Sequence, residues 1–212
     1  MVKDICNFYI VRHGQTDWNK IKKMQGYTDI PLNDEGRNQA LSLKEHFKGV
    51  HFDAIYASDL LRAKQSAEIL SHGRNLDIAT TSKLRERYWG QHEGKTVEEL
   101  RLKYGAFFEP MIEEFKPNKS LLHPDLQSVE SYFDALIGRV FPFLEELKNR
   151  FLGKSVLAVS HGGILKAFLL FLNSKEFSKP YVDNMAYLHL ELSQKEISLK
   201  AFKGVQNHSP IN

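Results

Sequence analysis

Cysteine is nearly absent: Cys6 is the single one in 212 residues. One thiol closes no internal disulfide, so a packed core must hold the chain together, and a reducing compartment is the expected setting. Its place in the apolar run ICNFYIV makes Cys6 a small core residue rather than a reactive thiol. Long hydrophobic runs are missing too. The best candidate, ILKAFLLFL, is interrupted by Lys166 and falls far short of the about 18 apolar residues that span a membrane. The opening MVKDICNFYI has no apolar run followed by small residues, which argues against a secretory signal. The cytoplasm is therefore the expected location, with no membrane partner. Charge of one sign is scarce: 29 Lys+Arg stand against 26 Asp+Glu, a formal net +3. That mild excess demands no nucleic acid, although it suits a small phosphorylated ligand. Internal repeats and low-complexity tracts are also lacking.

What is present is an alternation of strand-like and helix-like segments over a length that suits one domain, 1–212. Folding a chain of this size buries about 70% of its surface, enough for a core without staples. Residues 5–12 read as a buried strand, and DEGRNQALSLKEHF (34–47) has helical spacing with an acidic first turn. FDAIYAS (52–58) runs directly into the helix DLLRAKQSAEILS, with Ser58 or Asp59 as its N-cap. Residues 75–86 give a third strand and its exit loop. Residues 96–152 look mainly helical, with an irregular loop at KPNKSLLHPD (116–125) and a kink expected at Pro142. KSVLAVS (154–160) is a fourth strand, and HGGILKAFLLFL supplies a turn and a buried helix. AYLHLELS and EISLKAF alternate apolar and polar residues around Gln194 and Lys195 and read as a closing hairpin. Phe141, Phe143, Phe168 and Phe171 read as core rather than interface. Strands that alternate with helices predict a largely parallel sheet covered on both faces, with ligands beyond the carboxyl ends of the strands.

The unusual polar residues fall at those ends. In IVRHGQTDWN the first strand finishes in Arg12, His13 and Gly14. Alone, His13 reads as a strand-end histidine bonded to a carbonyl; its neighbours change that reading. Gly14 lets the backbone turn and come close to a ligand, Arg12 offers a fork of donors matched to phosphate oxygens, and a neutral imidazole can attack phosphorus. Arg62 lies one turn into a helix, where propensity alone would place an acid, so its cation asks for an anion. It also reads as a surface arginine. His161 opens SHGG, whose glycines either expose N–H groups to an anion or simply cap a helix. Glu86 and Glu93, in KLRERYWGQHEGKT, are candidates to supply a proton to a departing alkoxide, or are ion-pair partners for Arg85 or Arg87.

Taken together, RHGQTDWN, QGYTDIPLNDEGRNQA, SDLLRAKQSAEIL, LRERYWGQHEGKT and VSHGG resemble the histidine phosphatase superfamily, also called the phosphoglycerate mutase-like family. The resemblance implies a three-layer α/β/α sandwich with a mostly parallel central sheet and a small helical cap over roughly 90–130. By the same resemblance His13 is the phosphorylated nucleophile, and Arg12, Arg62 and His161 form the phosphate pocket. Asn19 adds a donor to that pocket, Gln25 and Gly26 line the substrate entrance, Glu86 is the proton donor, and Gly162 offers a backbone N–H. No metal and no cofactor are implied.

Within the family, the segment from Glu86 to His161 is shorter than the mutases' cap and lacks their pair of substrate-gripping arginines. The expected activity is therefore a metal-independent phosphomonoesterase acting on small phosphorylated metabolites. A cofactor-dependent phosphoglycerate mutase and a non-catalytic phospho-ligand scaffold are the alternatives. His92 stands where many relatives have tryptophan and Val129 where they have glycine, the latter expected on the cap side of the site. Lys22, Lys23, Arg87 and Lys95 are candidates to meet a second phosphate.

Overall fold

In β1 (Cys6–Arg12) successive side chains go to opposite faces of a sheet, and both faces are covered. Cys6, Phe8 and Ile10 join one apolar cluster, while Val11 and half-buried Tyr9 join another. The computed structural model describes residues 5–172 and 177–207, so the last residues of the tail, 208–212, lie outside it. After β1 come a one-turn helix α1 (Asp17–Lys20), α2 (Asp34–His46), β2 (Ala54–Ser58), α3 (Leu61–Ser71) and β3 (Ile78–Thr81). Next are α4 (Val97–Tyr104), α5 (Glu109–Glu113), α6 (Tyr132–Ala135), a π-helical turn (Leu136–Val140) and α7 (Phe141–Arg150). The described chain closes with β4 (Ser155–Ser160), α8 (Gly162–Leu172), β5 (Pro180–Leu192) and β6 (Ile197–Asn207).

The strands lie in one sheet ordered β3-β2-β4-β1-β5-β6. β3, β2, β4 and β1 pair in parallel, and β5 runs against both β1 and β6. This is the predicted mostly parallel α/β sheet with helices on both faces. Alternation repeats along the central strands: Val156 and Ala158 of β4 face α6–α8, while Leu157 and Val159 face α2 and α3. A third apolar cluster, holding Trp89, Leu100, Tyr104, Phe108, Met111, Leu122, Leu126 and Val129, lies apart from both sheet-facing cores. Among the described residues no helix is long and apolar enough to cross a membrane.

Several local expectations change. The N-cap of α3 is neither Ser58 nor Asp59: Leu60 holds that position and makes no side-chain cap bond. Asp29, from a distant loop, accepts from Leu61 N at 2.6 Å instead, and Asp59 pairs with Arg85. Pro142 does not kink a single helix. It opens α7 directly after the π-helical turn, in which Phe141 N donates to Leu136 O. Proline has no N–H for an α-type bond to Gly138, and its ring would press on that carbonyl, so the backbone widens one turn upstream. The HGG glycines form no separate turn, because α8 begins at Gly162. β5 starts six residues before the predicted AYLHLELS, its pairing with β6 interrupted by a bulge between Val182 and Tyr187. Phe143 and Phe168 are buried as expected, but Phe171 is exposed.

Gly14 serves close approach rather than a sharp turn. Its φ is not positive; instead a Cβ there would lie 2.3 Å from Gly36 O, and one on Gly36 would lie 2.1 Å from Gln15 O. The two glycines bring the first turn of α2 onto the backbone that follows His13. Because that contact is backbone on backbone, it has no side chain to yield. Gly36→Ala is expected to cost about 2–3 kcal/mol, the usual toll of overpacking, which lowers Tm by roughly 5–10 °C in a chain of this size. A melting temperature unchanged from wild type would contradict the tight contact.

Candidate active site

Strand register brings the two histidines together. Arg12 of β1 is the partner of Ser160 of β4, and His13 N donates to Ser160 O at 3.0 Å. The next residues along, His13 and His161, therefore emerge side by side, with ring centroids 5.2 Å apart. Both are buried. His13 Nδ1 lies 2.7 Å from Gly14 O, which can only accept, so Nδ1 carries the proton. The lone pair is thereby left on Nε2, where Arg62 Nε–H donates at 3.2 Å. Burial, and then the Arg62 and Arg12 charges, hold the His13 pKa well below the ordinary imidazole value. The ring is neutral at pH 7, as a nucleophile must be. Burial and the same two cations, with His13 and Arg139, keep His161 neutral as well.

Arg62 is fully buried in the first turn of α3. Its other nitrogens donate to Gly26 O at 2.8 Å and Thr28 O at 2.9 Å. Burial lowers its pKa to about 10, still far above neutrality, and among the described residues it forms no salt bridge. The 25–28 loop that receives Arg62 is itself held by Glu93, whose carboxylate accepts from Tyr27 N, Thr28 N and Thr28 Oγ1. Of the two candidate carboxylates, Glu93 is thus spent on the loop, while Glu86 lines a cleft. Gly26, at φ +52°, lies so close that a Cβ would sit 2.1 Å from Glu93 Oε1.

Arg12 donates through Nη1 to Val182 O. Among the described residues, the buried side-chain polar atoms with no hydrogen-bond partner are Arg12 Nε and both ring nitrogens of His161. All three belong to this site. Unpartnered buried polar atoms cost about 1–3 kcal/mol each, so Arg12 Nε and the one N–H of neutral His161, beside the Arg62 guanidinium, mark a place shaped for an anion.

Glu86 Oε1 accepts from Arg87 N at 2.8 Å and Oε2 from Gly163 N at 3.0 Å. Gly163 thus gives its N–H to Glu86, and its missing Cβ leaves the room, since one would lie 2.2 Å from Glu86 Oε1. Gly162 packs against Arg12. Asn19 Oδ1 accepts from Thr16 and Asn184, leaving its Nδ2–H groups as what it can offer a ligand. Buried Gln25 receives a hydrogen bond from Thr16 Oγ1 and so supports this loop. A cleft of about 780 Å³ opens on Glu86 and Gly163, walled by Met24, Trp89, Val97, Ile112 and Tyr132 with Lys22 and Lys166.

Of the cations considered for a second phosphate, Lys22 and Arg87 line this cleft. The Arg87 guanidinium is already engaged: it is buried, stacked 3.8 Å from the Tyr132 ring centroid, and bonded to Glu130 O and Met111 O. Lys23 lies over Trp18, and Lys95 lines a different, smaller cavity. His92 and Val129 belong to the interior of the helical segment, with His92 bonded to Asp125 O. Neither lines the cleft. The sequence reading missed Asn184 and Val182, which hold the His13 carbonyl and Arg12 from the bulged half of β5.

A parallel-sheet enzyme with a neutral buried histidine among unpartnered phosphate donors is a recognisable class. A family model described as "Histidine phosphatase superfamily (branch 1)" matches residues 8–204. The chain is 31% identical over 195 residues to Uncharacterized phosphatase PhoE of Bacillus subtilis, covering 91% of this chain and 92% of that one. It is also 31% identical over 196 residues to Phosphoserine phosphatase 1 of Hydrogenobacter thermophilus, covering 90% and 89%. The solved structure of Bacillus stearothermophilus YhfR superposes with TM-score 0.81 at 30% identity, covering 96% and 98%. The chain belongs to the histidine phosphatase superfamily, and it is an enzyme of that superfamily.

Proposed function

We propose that the protein is a phosphomonoesterase that hydrolyses small phosphorylated metabolites through a phosphohistidine on His13, without a metal. The observation that carries this reading is the neutral His13 Nε2, held between Arg62 and the unpartnered Arg12 Nε and His161 nitrogens. Nε2 attacks phosphorus in line, the P–O bond to the alcohol breaks, and Glu86 gives its proton to the departing oxygen. Arg12, Arg62, His161 and Asn19 stabilise the charge on the transferring oxygens. Water then attacks the phosphohistidine, Glu86 takes back a proton, the N–P bond breaks, and phosphate leaves. The cleft beside Glu86 receives the alcohol portion.

The test is phosphate release from nitrophenyl phosphate, phosphoserine, phosphoglycerates and sugar phosphates in excess chelator, with acid-labile, base-stable phosphate mapped on the protein. Release together with phosphate on His13 supports the reading. Interconversion of 2- and 3-phosphoglycerate on adding bisphosphoglycerate, without hydrolysis, replaces it with a mutase. Binding of these ligands with no turnover replaces it with a scaffold.

Glu86→Gln separates the acid from the nucleophile. With alkyl phosphates, whose leaving groups need a proton, kcat/KM is expected to fall about 10²–10³-fold, within the span for a general acid. Nitrophenyl phosphate, a good leaving group, should lose less than about tenfold. Equal losses on both substrates would remove Glu86 from the proton-donor role.

A further inference from the structure

The backbone that carries Glu86 has no regular secondary structure from Arg85 to Trp89, yet its carbonyls do not face water unpaired. Four successive ones each accept from a side chain: Leu84 O from Ser160 Oγ at 2.8 Å, and Lys83 O, Arg85 O and Glu86 O from Arg139 at 2.7–2.9 Å. The remaining Arg139 donors go to Glu130, Nε to Oε1 at 3.0 Å and Nη2 to Oε2 at 2.9 Å. A guanidinium has five N–H groups, and these contacts use all of them. Glu130 completes the frame, since its Oε2 also accepts from Tyr88 N at 3.1 Å. The acid-bearing segment is thus gripped on both sides of Glu86 by one ion pair, whose side chains are only 16% and 18% exposed.

Arg139 reaches this position from the π-helical turn ahead of Pro142. An added residue in one turn shifts the helix face, and such turns recur at functional sites. Resting on the reading of Glu86 as proton donor, we infer that Arg139, with Glu130, is a positioning residue that fixes the Glu86 carboxyl for proton transfer. Arg139 touches no reacting atom. Its role is to hold three carbonyls and one carboxylate in a plane set by its fork, which a lysine with one nitrogen cannot reproduce.

The experiment compares wild type, Arg139→Lys, Glu130→Gln and Glu86→Gln on an alkyl phosphate and on nitrophenyl phosphate, with thermal melts alongside. For Arg139→Lys, kcat/KM with the alkyl phosphate is expected to fall about 100-fold, the scale of an ångström-level misplacement. Nitrophenyl phosphate should lose less than about fivefold, since its departure barely needs the acid. Glu130→Gln should shift the ratio of the two rates in the same direction. If both substrates slow equally in Arg139→Lys and Glu130→Gln while Glu86→Gln separates them, the pair is structural and the inference is overturned. If Glu86→Gln itself fails to separate them, the proton-donor reading is what falls. Should Arg139→Lys not fold, Glu130→Gln, which keeps all three carbonyl bonds and the side-chain volume, decides by the same ratio.

Discussion

His13→Ala is expected to fold and to lose at least about 10⁴-fold in kcat, the scale on which enzymes lose rate when a nucleophile is removed. No neighbour can take over. His161 has two unpartnered nitrogens, but it opens from β4 and lacks the carbonyl that fixes the His13 tautomer. The variant frees Gly14 O of its imidazole donor and Arg62 Nε of its acceptor, which lowers stability by roughly 1–3 kcal/mol without opening the sheet. A melt and a circular dichroism spectrum read the fold, and phosphate release reads the chemistry. Turnover within about tenfold of wild type would mean that phosphate never passes through His13. The wild-type pH profile gives a second reading. Attack needs the neutral ring, and burial with two cations lowers the His13 pKa, so the ring stays deprotonated into more acidic solution. The acid limb of kcat/KM that belongs to this group should therefore lie below about 6.5, the ordinary imidazole value.

Arg62→Lys should cut kcat/KM about 10²–10³-fold, as expected for removing a preorganised donor to a transferring oxygen. The substitution keeps the positive charge, so the loss isolates the fork. Arg62 spends its Nη groups on Gly26 O and Thr28 O and directs Nε to His13. A single ammonium cannot meet all three. The cation is fully buried with no salt-bridge partner among the described residues, a costly state that an anion relieves. Inorganic phosphate should accordingly raise the melting temperature of wild type, by binding the folded state alone. At 100 times its Kd this amounts to about 2.7 kcal/mol, and Arg62→Lys should forfeit most of it. An undiminished rate and an undiminished thermal shift would remove Arg62 from the phosphate site.

The sequence by itself determined the layers and the ends of the strands. The apolar runs ICNFYIV and SVLAVS marked strands covered on both faces, because a strand has period two and successive apolar residues point to opposite sides. It also placed Arg12 and His13 after one strand, His161 after another and Arg62 in a first helical turn, since each follows its apolar run directly in the chain. Distances remained out of reach. Glu86 and Glu93 look alike in KLRERYWGQHEGKT, and only packing shows that Glu93 holds the 25–28 loop while Glu86 faces Gly163. Asp29 capping α3, Val182 holding Arg12 and Asn184 holding the His13 carbonyl come from segments with no helical or alternating signal. A bulge and a loop leave no periodicity to read. Pro142 hinted at a kink, but not that the widened turn would aim Arg139 at the Glu86 backbone. Local pattern is set by neighbours in the chain. The partners of buried polar atoms are set by which distant backbones the assembled sheet brings within about 3 Å, and that is decided only when the whole core has formed.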